Sequence, residues 1–555
     1  MAFSRKGRLV NMREFRLHGP PGTGKTTALS TSWLPRAADR FGGDRVVICS
    51  LTKTAATEIA SRDLPIPREN VGTLHALCYR ALGRPEIAEG KIAEWNQAEP
   101  MFRLSADAKP TVECPEIAQG ERATKGDELL ARAQVLRHNR VPREGWPDDV
   151  LTFQRRWEAW CLEGGFVDFT GLIEDALAVV ARAPGEPAVF VVDEAQDCSV
   201  LELDLVRKWA GAPGVSHVVL AGDGDQAIFG WRGASARAFL APDIPEENNY
   251  KLTQSWRVPR GIHGVATRWI EQASYRYAVE YEPRDFDGIV AKSEGNTRNV
   301  MPLIDGAVAD LDRGKSVMIL ATCGYMLRGV IGALRREGIL FHNPYRPTHG
   351  GWNPLRGGVG RLLAYLRPDP VTYPEDFRIW TWKEAQTWAE LVRAKDALAP
   401  SGKTYLRQLA KDEERANQQI SEGDGRAVFG ESWDQLRDAF AASRPIDWLD
   451  AHLLGSRTRL MDYAFKIAEK HGRKKLREEP RLVVGTVHSV KGSESDCCYM
   501  LPDLSPSSMR EWAGHRGEVR DGIIRTFYVG MTRAREKLVL ARRWSPSAVD
   551  WGIVA

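Results

Sequence analysis

The sequence is short of cysteine, of net charge and of long apolar runs, and each shortage excludes something. Eight cysteines in 555 residues (Cys49, Cys78, Cys114, Cys161, Cys198, Cys323, Cys497 and Cys498) never form a C-x-x-C pair. Zinc ribbons and dithiol redox motifs are therefore unsupported, and buried thiols are the expectation. No stretch approaches the roughly 18 uninterrupted apolar residues of a membrane span. The start, MAFSRKGRLVNMREF, lacks the apolar centre of a secretory signal. A cytoplasmic chain without a membrane partner is expected. The formal charge is only +4, from 77 basic and 73 acidic residues, which neither demands nor forbids a polyanionic partner. Internal repeats and long low-complexity segments are also missing.

What is present is a chain with 43% hydrophobic and 27% charged residues, too long for one core and long enough for three or four domains. Short β-branched and apolar runs stand out: Arg45–Leu51, Ala188–Val192, Val215–Ala221, Val317–Ala321, Leu482–Val487 and Lys537–Ala541. Each reads as a strand buried on both faces, and the helix-compatible stretches between them are the pattern of doubly wound α/β domains. The runs fall into two groups, before about residue 222 and after about residue 288, which implies two parallel-sheet α/β cores. From 80 to 180 the segments Asp127–Leu136, Phe153–Cys161 and Leu172–Ala181 repeat apolar residues at helical spacing, an insertion in the first core. From 344 to 480 Pro and Gly mix with charged segments such as Tyr405–Ile420, read as helical, an insertion in the second. The expected division is a first core at 1–79 and 181–250 holding the insertion 80–180. The second core, at 251–343 and 481–555, holds the insertion 344–480.

Gly19-Pro20-Pro21-Gly22-Thr23-Gly24-Lys25-Thr26 fits G-x-x-x-x-G-K-[ST], follows the strand-like Phe15–His18 and opens the helix-compatible Thr26–Trp33. Glycines let backbone N–H groups turn in around phosphates, and the following helix aims its positive end at them. Lys25 reaches the β and γ groups, and Thr26 offers a hydroxyl to Mg²⁺. The nucleotide-binding set is extended to Thr27. Asp193 and Glu194 stand directly after the run Ala188–Val192, where open α/β sheets place their ligands. One acid can hold Mg²⁺ while its neighbour polarises an attacking water, so Asp193 is assigned to metal and Glu194 to the general base.

These motifs belong to an ordered series: GPPGTGKT (19–26), SLTKTAATEIA (50–60), GTLHAL (72–77), VDFTGLI (167–173), VVDEAQD (191–197), LAGDGDQAIFGWRGA (220–234), LTQSWR (252–257), VVGTVHSVKGSESD (483–496) and FYVGMTRAREKLVL (527–540). The series resembles the UvrD/Rep family of superfamily 1 DNA helicases across both cores, and leaves the two insertions weakly matched. The resemblance implies two RecA-like cores, ATP and Mg²⁺ as cofactors, and movement along single-stranded DNA in the 3′ to 5′ direction with duplex unwinding. It implies single-stranded DNA and single/double-strand junctions as partners, and leaves a replication, repair or nuclease partner open. Gln226 looks like the family's γ-phosphate sensor, and Arg257 and Arg533 like the two arginines brought from the second core onto that phosphate. Trp256 stands where relatives stack an aromatic ring on adenine, and Glu494 where they contact the ribose. Trp231, with Phe229 and Arg232, looks like the base-stacking element, because an indole face stacks on any base. Thr52, Thr73, His75, Thr486 and His488 fall in segments that line the family's strand track. Three departures accompany the match. Residues 1–18 contain no Gln to read an adenine edge, Leu51 replaces a Phe that wedges between bases, and the second insertion is shorter than usual. The alternative reading is a DNA-stimulated ATPase subunit of a repair, replication or defence complex that unwinds little by itself.

Overall fold

The computed structural model of the protein describes residues 13–51, 53–105, 124–347, 349–356, 358–366, 380–412, 414–514 and 517–553. It divides into two compact units, residues 1–328 with 485–555, and residues 329–484. The expected first core, its insertion and most of the second core fall in the larger unit, and the smaller one takes more chain at each end than the expected 344–480.

In the larger unit, six strands form a sheet in the spatial order Val71–Thr73, Val46–Ser50, Val189–Asp193, His217–Gly222, Arg13–His18 and Asn249–Lys251. Every pairing is parallel. The runs VVICS and VFVVD are buried at all five positions, as strands covered by helices on both faces must be. Register aligns the functional ends: Ser50 pairs with Asp193 and His18 with Gly222. The loops that leave the sheet after His18, Asp193 and Gly222 therefore open at one edge, the carboxyl ends of the strands.

The same unit holds four parallel strands of the second core, in the order Ile289–Ser293, Ala534–Ala541, Ser495–Met500 and Val317–Ala321. The strand Leu482–Thr486 carries the chain back from the smaller unit. Between these cores the chain passes along Gln254–Pro259, which pairs with Glu282–Arg284 as a separate two-stranded ribbon.

The first insertion is helical, as its periodicity predicts, with helices Lys125–His138, Asp148–Gly164 and Phe169–Val179. Thr124 and Asp127 close a reciprocal cap on the first helix, the Asp168 side chain accepts from Gly171 N at the start of the third, and Gly165 at φ 68 ends the second. Trp95, Phe153 and Trp157 make its apolar centre.

The smaller unit is built of helices, the short Trp382–Ala389, Glu422–Phe429 and Ser432–Ala441 and the longer Gly455–His471 among them, and holds the buried rings of Tyr365, Trp380, Trp388, Phe429, Trp433 and Phe440. Within it, the helix expected over Tyr405–Ile420 is confined to Gly402–Leu409. The remaining backbone pairs with another segment instead: Trp382 N donates to Gln418 O, Lys383 N to Ala416 O and Ile420 N to Trp380 O. Among the described residues no helix is long and apolar enough to cross a membrane.

Candidate active site

The loop Gly19–Thr26 turns tightly because two of its glycines occupy left-handed backbone, Gly22 at φ 74 and Gly24 at φ 80, a region that costs other residues energy. A Cβ on Gly22 would sit 2.4 Å from the Cβ of Arg257, so glycine here also permits the close approach of the chain leading to the second core. That approach is fastened by Ser255, whose buried Oγ donates to Pro21 O at 2.8 Å, and by Trp256 N, which donates to Gly22 O at 2.8 Å. Pro20 O accepts from both the amide (3.3 Å) and the hydroxyl (2.9 Å) of Thr23. Lys25, 9% exposed, lies back along the loop with Nζ 2.5 Å from Gly19 O. Thr27 is exposed, one residue past the loop.

Thr26 Oγ1 donates to Asp193 Oδ2 at 2.9 Å. A hydroxyl beside a carboxylate is a pair of hard oxygen donors of the kind Mg²⁺ takes together with nucleotide phosphates, so these two residues fit the cation. Burial first, and the charge of Glu194 second, push Asp193 up to about 6. Glu194 shows the opposite balance. Burial raises it, but Lys491, Lys25 and the hydrogen bond from Gln196 outweigh burial and hold the carboxyl below its ordinary range. Its backbone is in the left-handed region at φ 56, a conformation of the kind that clusters at functional sites in non-glycine residues.

From Glu194 a continuous chain of hydrogen bonds runs to the second core. Gln196 Nε2 donates to Glu194 Oε2 at 2.5 Å, and Gln196 Oε1 accepts from Asp223 N at 3.1 Å. Asp223 Oδ2 accepts from Gln226 Nε2 at 2.7 Å, and Gln226 Oε1 accepts from an Arg533 guanidinium nitrogen at 3.1 Å. Arg533 is 1% exposed and spends its other nitrogens on Val529 O and Ser493 O. Burial and the neighbouring Arg257 cation both weaken its hold on its proton, a tension that a phosphate's negative charge would relieve. Arg257, half-buried, donates from Nε to Glu494 Oε2 at 2.6 Å, and Glu494 also pairs with Arg535 at 3.2 Å. Trp256 is 72% exposed on the same short strand, an open face that can stack on a planar ring.

The residues expected on the strand track are placed unevenly. Phe229, Trp231 and His488 cluster, with ring centroids 5.8 Å apart for Phe229 and His488 and 6.5 Å for Trp231 and His488. Trp231 and His488 are half-buried and Phe229 is buried. Arg232 points the other way. Its guanidinium is buried in an ion pair with Glu202 at 2.9 Å, so its charge is committed to the interior. Thr486 is fully buried and its Oγ1 accepts from Ser489 N, a turn-making role. Thr73 caps the helix Leu74–Ala81 by accepting from Ala76 N. His75 lies edge-on to Phe169 at 6.2 Å, and burial lowers its basicity. Thr52 lies outside the described residues.

Sequence reasoning passed over Ser255, Gln196, Asp223 and Lys491. All four lie inside quoted motifs, yet their roles are contacts made across the fold. Lys491, in VHSVKGSES, carried the clearest missed signal: a cation three residues after His488, between Ser489 and Ser493.

Known proteins match parts of this chain in sequence. The profile of a family described as an AAA domain matches residues 8–232. DNA helicase II of Escherichia coli is 26% identical over 290 residues, covering 48% of this chain and 39% of that protein. The ATP-dependent DNA helicase PcrA of Staphylococcus aureus is 31% identical over 281 residues, 46% of this chain and 37% of its own length. The ATP-dependent DNA helicase srs2 of Schizosaccharomyces pombe is 23% identical over 400 residues, 62% and 44%. The matched chain thus spans less than half the length of these curated relatives. With the motif series in order and a phosphate loop and acidic pair at one sheet edge, the chain is similar over part of its length to these DNA helicases.

Proposed function

We propose that the protein is an ATP-dependent DNA helicase that moves along single-stranded DNA, 3′ to 5′, and couples hydrolysis of Mg-ATP to unwinding. The observation that carries this reading is the hydrogen-bonded chain from Glu194 through Gln196, Asp223 and Gln226 to Arg533. It links the carboxylate beside the phosphate loop to a guanidinium from the second core, so the state of the nucleotide is felt by both.

Roles follow from position. The backbone of Gly19–Lys25 and the Lys25 ammonium cradle the phosphates, and the exposed Trp256 indole stacks on the base. Thr26 and Asp193 would hold Mg²⁺, which when bound neutralises charge on the β and γ phosphates. Glu194, kept ionised by Lys491 and Lys25, accepts the proton of the attacking water, which Gln226 orients. Arg257 and Arg533 turn their donors onto the γ-phosphate and stabilise charge as it transfers. Glu494 engages Nε of Arg257 at 2.6 Å, which leaves the terminal nitrogens of the guanidinium to meet the phosphate. Trp231 and His488 supply a sequence-tolerant stacking surface for the strand. Arg232 and Thr486, turned inward, have no place in that contact set. Phe229 backs Trp231 and His488 rather than facing the strand.

The test is ATP hydrolysis by wild type and Glu194→Gln with oligodeoxythymidylate, oligouridylate or no polymer. The expected result is strong stimulation by the DNA and at least about a hundredfold loss in the variant, the scale of a lost catalytic base. Equal wild-type rates with and without DNA would refute the motor.

A further inference from the structure

Lys491 makes more contacts than an internal ion pair requires, and they belong to different parts of the site. Its ammonium, in a side chain 9% exposed, donates to both carboxylate oxygens of Asp197 (2.7 and 2.5 Å) and to the main-chain carbonyl of Gln226 (2.7 Å). It lies 3.9 Å from Glu194 Oε2 and 5.2 Å from the centre of the Phe229 ring. The backbone that carries it is the single turn His488–Val490. That turn is seated by His488 Nε2 against Ile228 O at 3.1 Å, with the His488 ring against Phe229 and Trp231.

One four-residue stretch of the second core therefore touches the catalytic carboxylate, the backbone of the water-orienting glutamine and the aromatic surface offered to the strand. Gln226 and Trp231 are themselves joined by only four intervening residues. Packed rings and short turns are not freely deformable, so a base that displaces Trp231 or His488 shifts the Lys491 ammonium relative to Glu194 and Gln226. At this distance and burial a fixed cation acts strongly on a carboxylate.

We propose that Lys491 is the positioning residue through which strand occupancy at Trp231 and His488 sets the geometry of Glu194 and Gln226, so that DNA stimulation of ATP hydrolysis runs through its ammonium. The proposal rests on the DNA-motor reading above and adds the route of coupling.

The experiment measures steady-state ATP hydrolysis by the full chain, with and without saturating oligodeoxythymidylate, for wild type, Lys491→Met and Lys491→Met/Asp197→Asn. The readout is the ratio of the two rates, which a general loss of catalysis or of folded protein leaves unchanged. The double variant removes the carboxylate that Lys491→Met would leave buried without its partner, so the test survives if the single variant folds poorly. The ratio is expected to fall at least about tenfold in both variants, within the span of typical coupling between two sites. A ratio equal to wild type in the folded variant would overturn the proposal, even if both rates were lower. Wild type without any stimulation would instead remove the motor reading on which it stands.

Discussion

The nucleotide region and the smaller helical unit are held by opposite means. Around the phosphate loop, buried charge is dense: Asp193, Asp197, Glu202, Arg232 and Arg533 are all under 9% exposed and all hydrogen-bonded or ion-paired. In residues 329–484 the centre is a cluster of rings, with Trp388 stacked on Phe429 at 5.3 Å, tilted to Trp380 at 5.0 Å and edge-on to Tyr365 at 5.1 Å. Buried ionic networks contribute little net stability, because desolvation offsets most of the attraction, whereas buried aromatic area contributes several kcal/mol per ring. The difference teaches where each kind of damage registers. Substitutions in the polar region that leave no buried charge unpaired are felt mainly in turnover, and substitutions among the rings are felt in stability.

The largest effect on the stability side is expected at Trp388. Trp388→Ala should destabilise residues 329–484 by about 3–5 kcal/mol, the usual range for deleting a buried large aromatic side chain. Below its lowered melting transition, ATP turnover should stay within about twofold, since every group assigned to hydrolysis lies in the other unit. Thermal melting followed by circular dichroism, paired with an ATPase assay at low temperature, checks both halves. Loss of turnover in protein that is still folded would break the comparison.

A smaller effect sharpens it from the polar side. Glu89 is 4% exposed and accepts from Phe169 N in the first insertion, and burial followed by the charge of Asp168 pushes it up to about 8. The folded state then binds a proton that the unfolded state releases from about pH 4.5 upward, so this group's contribution to stability falls as pH rises from about 4.5 to about 8. Glu89→Gln keeps the acceptor without the ionisation. It should be more stable than wild type by about 1–2 kcal/mol at pH 8, with the gap closing near pH 5. Melting temperatures across that range decide, and a gap that widens toward acid pH would contradict the assignment.

Much of the polar region was legible because its signals are local. The strands Val46–Ser50, Val189–Asp193 and His217–Gly222 are unbroken apolar runs, and the phosphate loop and acidic pair lie within a few residues of their ends. The strand Ser495–Met500 was not seen, because SDCCYM opens on polar residues whose burial depends on the neighbouring strands. The helix expected over Tyr405–Ile420 failed for a related reason. Its charged residues favour a helix, but tertiary partners at Trp380, Trp382 and Lys383 claim the backbone from Ala416 to Ile420. Arg232 shows the same limit at the site. Its place beside Trp231 suggested a strand contact, and only the fold reveals Glu202, thirty residues away, holding it inside.

The central claim is that one nucleotide pocket is made by two cores, with Arg533 reaching the phosphate from the second. Single-turnover hydrolysis of saturating ATP by Arg533→Ala, with nucleotide binding followed separately, tests it most directly. A rate at least about a thousandfold below wild type in protein that still binds ATP is predicted, the scale of a lost arginine finger. A wild-type rate in the variant would contradict it.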